Sequence, residues 1–119
     1  MSYIFDVGDD TVWSPSLRVG EWYVSLVESA ARVLGCPHGL RPVANDMYVI
    51  NPEDFEGFTR LLQREYFSTD HSILRVQLRG TLLTSMVLLE RAGVCVNLKG
   101  EEQRDLLLEA QALGRSMAR

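Results

Sequence analysis

The chain has 119 residues, 46% of them hydrophobic and 24% charged, with a formal net charge of −4 at pH 7. That length suits one domain over residues 1–119 whose core holds without staples, and the composition excludes a disordered polymer. The acidic balance, with an isoelectric point near 5.1, argues against a broad nucleic-acid or anionic-membrane surface.

Tyr3, Phe5 and Val7 alternate with Ser2, Ile4 and Asp6. Gly8-Asp9-Asp10 and Thr11-Val12-Trp13 follow. Period-two apolar residues around a Gly/Asp turn predict a β-hairpin. Ser14-Pro15 reads as a helix start, with Ser14 capping and Pro15 at the first position. Trp22, Leu26, Ala30 and Val33 form one row of that helix and Tyr23, Val27, Ala31 and Leu34 the next. Together they make a wide apolar stripe. Gly35, with Pro37 beyond, ends it.

Pro37, Gly39 and Pro42 mark Cys36–Asp46 as an irregular stretch. Met47–Ile50 reads as a strand that extends the hairpin to a third member. Asn51-Pro52-Glu53-Asp54 is the clearest helix start, with Asn51 as cap and acidic residues at the positive helix end. Phe55, Phe58, Leu62 and Tyr66 line one face, and the helix ends near Phe67. A short connection, Ser68-Thr69-Asp70, leads to a third helix from about His71 to Ala92 and makes the two antiparallel neighbours. The third helix is the most apolar and so central to the domain. Val94–Leu98 reads as an edge strand or an extended link. A last helix opens at Gly100 with Leu106, Ala110, Leu113 and Met117 on one face. The expected fold is therefore α+β and mostly helical, with about four helices on a small N-terminal antiparallel sheet.

Three stretches carry a resemblance. They are Tyr3–Gly8 followed by Val12–Ser16, Ile50-Asn51-Pro52-Glu53-Asp54-Phe55, and Val87–Gly93. Together they resemble a family of small uncharacterised actinobacterial proteins. The resemblance covers nearly the whole chain and implies no activity, cofactor or catalytic residue.

The residues themselves offer little chemistry. Cys36, His38, Asp70 and His71 could serve a metal only if two distant loops met, and their spacing matches no ligand motif. Cys36 and Cys95 read as buried free thiols. Cys36 follows a helix C-terminus, the wrong end for stabilising a thiolate. No G-x-S-x-G elbow, G-x-G-x-x-G or P-loop occurs. Asp46 is the carboxylate least explained by local structure. No catalytic residue, metal or cofactor is expected.

What remains is contact. Aromatic residues near segment ends suit binding anchors, and the candidate binding residues are Trp13, Trp22, Tyr48, Asp46 and His71. The expected function is a non-enzymatic protein-interaction module, such as a toxin-neutralising immunity protein or an accessory factor. The alternative is a small-molecule binder or small enzyme with an aromatic cleft between the sheet and the third helix. A protein partner is expected, and a symmetric homodimer is the favoured assembly. There is no uninterrupted apolar run of about 18 residues and no signal-peptide pattern in Met1–Asp6. A cytoplasmic protein without membrane spans is expected.

Overall fold

A computed structural model describes residues 2–96 and 99–119. The hairpin forms from β1 (Ile4–Val7) and β2 (Asp10–Trp13), turning at Gly8, whose φ of 59° suits glycine. After it come α1 (Leu17–Leu34), β3 (Leu40–Ala44), β4 (Met47–Ile50), α2 (Pro52–Ser68), α3 (Ser72–Arg91) and α4 (Glu101–Gly114). The fold is α+β and mostly helical, with four helices among the described residues.

The sheet differs from the expected one in size and direction. Among the described residues it has four strands in the order β2-β1-β4-β3. β1 pairs antiparallel with β2 but parallel with β4, with Phe5 opposite Tyr48. α1 carries the chain back across the sheet before β4 is laid down, and a parallel pair needs such a long crossover. The extra strand is β3, in the stretch read as irregular. Its Pro42 disguised it, since proline removes a ladder donor. β3 is an edge strand, where proline is tolerated and blunts further pairing. At the opposite edge the chain's own C-terminus intervenes. Ser14 N–H donates to the Ala118 carbonyl at 2.8 Å, and Arg91 donates to the Val12 carbonyl at 2.8 Å.

α1 starts two residues later than its sequence suggests. Ser16, not Ser14, is the cap, with its hydroxyl accepting from Val19 N–H. Pro15 is buried in the link, where its carbonyl accepts from Tyr3 N–H at 2.9 Å. Of the two apolar rows, only that of Tyr23, Val27 and Ala31 enters the core. Trp22, Leu26 and Val33 face solvent. Gly20 explains the choice: a Cβ there would lie 2.3 Å from the Tyr3 ring, so the ring can rest against the helix only at a glycine. Around that contact an aromatic cluster forms. Phe5 stacks on Trp13 at 5.3 Å and on Tyr48 at 6.0 Å, and Tyr23 meets Phe5 and Trp13 edge-on.

α2 begins as read, with the Asn51 side chain accepting from Asp54 N–H at 3.1 Å. α2 and α3 break at Thr69 and restart at His71, then pack together. Tyr66 fastens them: the Arg75 guanidinium lies 5.1 Å above its ring, and Arg79 donates to its hydroxyl. α3 is central only in its second half. Leu82, Met86, Leu88 and Leu89 are buried, whereas Ile73 and Val76 are exposed. By length and composition alone α3 could cross a membrane, which a count of uninterrupted apolar runs passes over. In this fold its buried half is covered by its own chain, and Arg75 and Arg79 pair with Glu102 and Glu109 of α4. Those pairs, with Arg91 beside Gly114, step the same way along both helices, so α4 runs parallel to α3. Between them Val94 and Val96 pack on the core as an extended link, while Asn97 and Leu98 of the expected edge strand lie outside the described residues.

Candidate functional site

α1 and α3 are pinned at one point. The Tyr23 hydroxyl and the Ser85 hydroxyl form a buried hydrogen bond of 2.7 Å. Beside that pin the helices leave an open groove of about 610 Å³. Its α1 wall is Val19, Trp22 and Leu26, exposed by 49%, 62% and 46%. Its floor is Gly80, Thr81 and Thr84 of α3. Trp13 with the Ser14–Ser16 link closes it together with the C-terminal residues Leu113 and Ser116–Ala118, the two segments joined by the Ser14–Ala118 backbone hydrogen bond.

No Asp, Glu, His, Cys, Lys or Arg lines this groove among the described residues. Besides the indole N–H groups of Trp13 and Trp22 its side-chain polar groups are hydroxyls, and three are already engaged: Ser16 accepts from Val19 N–H, Thr84 donates to the Gly80 carbonyl and Tyr23 bonds Ser85. Burial pushes the Tyr23 phenol well above its ordinary value, and the Ser85 hydrogen bond pulls it only partly back. A phenol held neutral in this way is no proton acceptor near pH 7. The surface offers apolar contact rather than proton transfer.

Two other hollows are accounted for by structure. One of about 560 Å³ lies where α3 and α4 end and holds Arg91, Arg115 and Arg119. Arg91 donates to the carbonyls of Val12, Gly114 and Met117. It thus satisfies the last carbonyls of α4 as a cationic cap. Burial first, and then the Arg119 charge, lower its pKa. A hollow of about 360 Å³ contains Cys36 beside Glu53, Asp54, Arg60 and Arg64. Burial pushes the Cys36 thiol up, away from the reactive thiolate.

Of the five residues singled out in the sequence, the fold brings two together. Trp13 and Trp22 both line the groove, Trp13 buried and Trp22 exposed on the α1 wall. Tyr48 stacks on Tyr3 at 5.8 Å over the sheet. Asp46 sits in the β3–β4 turn, where its backbone carbonyl accepts from Ile4 N–H. His71 caps α3 through Nδ1, accepting from Leu74 N–H. His38 is likewise spent locally, accepting from Leu40 N–H at 2.9 Å. Cys36, His38, Asp70 and His71 do not gather, since no group of three or more such ligands exists among the described residues. Neither thiol is fully buried as expected: Cys36 is half-buried and Cys95 exposed. Val19, Gly80 and Thr84 were not singled out. For Val19 the one signal was an apolar surface on α1 wider than a single core face requires, and Gly80 and Thr84 of α3 carried none.

A model of a family of unknown function, DUF6086, matches residues 1–119. No curated protein and no solved structure matches the chain.

Proposed function

The chain belongs to this family, and we propose that it is a non-enzymatic protein-interaction module that works in the cytoplasm through the α1–α3 groove. One observation carries the reading: Val19, Trp22 and Leu26 form an exposed apolar row along the open side of α1. The three together leave about 300 Å² of side chain in water, and covering it is worth on the order of several kcal/mol before the costs of association. Large exposed aromatics in a concave apolar setting are the anchors protein interfaces use. Neutralising a toxin or assisting a larger enzyme is the role we place within this class, because a small acidic chain can meet a larger partner without a chemical step.

A second reading, a small apolar ligand, is supported by the groove's volume, which falls in the range of ligand sites. Against it stands the lack, among the described residues, of convergent polar groups to orient such a molecule. Trp22→benzoylphenylalanine in the native host separates the two, with Glu53→benzoylphenylalanine as control. Light-dependent protein adducts at position 22 but not 53 support the interaction module. A compound of a few hundred daltons trapped at position 22, with no protein adduct, moves the assignment to a ligand site. Equal labelling at both positions refutes both readings.

A further inference from the structure

We propose that the occupant of the α1–α3 groove is a second copy of this chain, related by a two-fold axis, with Trp22 of each copy seated over Gly80 and Thr84 of the other. The proposal rests on the protein-interaction reading and names the partner.

Gly80 is the first reason. It lies in the middle of α3, and glycine is the poorest helix former after proline. Nothing among the described residues requires it. Its φ is not positive, and a Cβ built on it meets no atom within 4 Å. A glycine that neither conformation nor internal packing demands fits a surface that something outside approaches closely. Gly57 of α2 also faces open space, but no large exposed apolar side chain stands on its helix. Gly80 instead floors a groove walled by three.

The second reason is shape. Trp22 is a ridge with a hollow on each side: the groove itself, and a smaller hollow of about 340 Å³ shared with Arg18, Glu21 and Ser25. A two-fold interface uses the same patch on both partners, so it needs a knob and a hole side by side on one surface. This surface has both.

Area is the third. Along α1 the exposed row continues to Val33. Along α3 the uncovered face runs through Ile73, Val76, Gly80 and Thr84 at helical spacing. The six large side chains on these two helices, Val19, Trp22, Leu26, Val33, Ile73 and Val76, expose about 700 Å². The largest apolar patch on an ordinary monomer is about 300–600 Å². A stable interface buries about 800 Å² per partner.

Charge selects a second copy over a basic partner. The chain is acidic, with a net −4, so two copies repel wherever their charged surfaces meet. Among the described residues the groove lining carries no charge and the adjoining hollow carries one of each sign, Arg18 and Glu21, which lets two acidic chains meet there without a net excess of like charge. A basic partner would instead be met by carboxylates at the groove, and none lines it among the described residues.

The test is light scattering on the purified chain from about 1 to about 200 µM, the range in which a moderate dimer dissociates. The proposal expects a mass approaching twice 13.4 kDa at the upper end and falling on dilution. Trp22→Glu and Gly80→Leu should each weaken association by about tenfold or more. Gly80→Leu should keep or raise the melting temperature, because leucine favours helix and the site is open, so loss of the dimer cannot be blamed on misfolding. Leu108→Glu, at an exposed apolar position of α4 away from the groove, should leave the dimer intact. A mass of 13.4 kDa at every concentration overturns the second copy. The wider interaction reading then survives if position 22 crosslinks a different protein, and falls if it does not. A dimer untouched by both groove variants also overturns the proposal.

Discussion

The pin between α1 and α3 should behave as one unit. Tyr23→Phe keeps the ring in its edge-on contacts with Phe5 and Trp13, so no cavity opens. It strands the Ser85 hydroxyl, which is fully buried. A buried polar group without a partner costs about 1–3 kcal/mol. Tyr23→Phe should fall at the lower end, because a helical serine can turn its hydroxyl to the carbonyl one turn back. Ser85→Ala strands the phenol, which has no such recourse, and should fall nearer the upper end. With both changes no orphan remains, so the double variant should lie well short of the sum, with a coupling of about 1–2 kcal/mol. Urea unfolding with unchanged slopes gives all four corners of the cycle. Additivity within about 0.5 kcal/mol would refute the pin.

Other consequences are simpler to read. The raised Tyr23 phenol makes its contribution to stability complete below its unfolded value, about pH 10. That contribution is lost as pH rises through the folded value. Stability of the parent chain should therefore drop more steeply above about pH 10 than that of Tyr23→Phe. Leu82→Ala should cost about 2–5 kcal/mol, since Leu82 is fully enclosed. Asp9→Ala, in the exposed hairpin turn, should cost less than about 1 kcal/mol, and equal melting shifts for the two would contradict the placement of α3. Gly20→Ala must displace the Tyr3 ring and should lower stability by about 1–3 kcal/mol despite the better helix former, whereas unchanged denaturation would disprove the contact. Arg91→Met removes three hydrogen bonds to backbone carbonyls and should loosen the C-terminus, seen as faster amide exchange at Ser14 and Met117.

Local chemistry was legible in the sequence wherever one residue decides the outcome. Asn51-Pro52 marked the start of α2, Gly35 the end of α1, and Gly8-Asp9 the hairpin turn. What stayed hidden was decided by distant parts of the chain. Two apolar rows on α1 look alike in sequence, and only the Tyr3 ring lying on Gly20 selects the buried one. Ser14 and Ser16 are equal caps in isolation. Ser14 N–H is taken by Ala118, more than a hundred residues later. The parallel pairing of β1 with β4 depends on how α1 crosses the sheet, which no local pattern encodes. The groove was half visible: Trp13 and Trp22 were marked as aromatics, but its floor is glycine and threonine, types that signal nothing alone.

The groove as a contact surface between two copies of the chain is tested most directly through Trp22 itself. The chain has two tryptophans, Trp22 exposed and Trp13 buried. In a Trp13→Phe background all tryptophan emission therefore reports position 22. The measurement is its emission maximum and its quenching by iodide as protein concentration rises. A shift to the blue with loss of quenching at high concentration is the predicted result, as the ring leaves water for Gly80 and Thr84 of a second chain. Red, fully quenchable emission at every concentration, in a chain that remains folded, would contradict it.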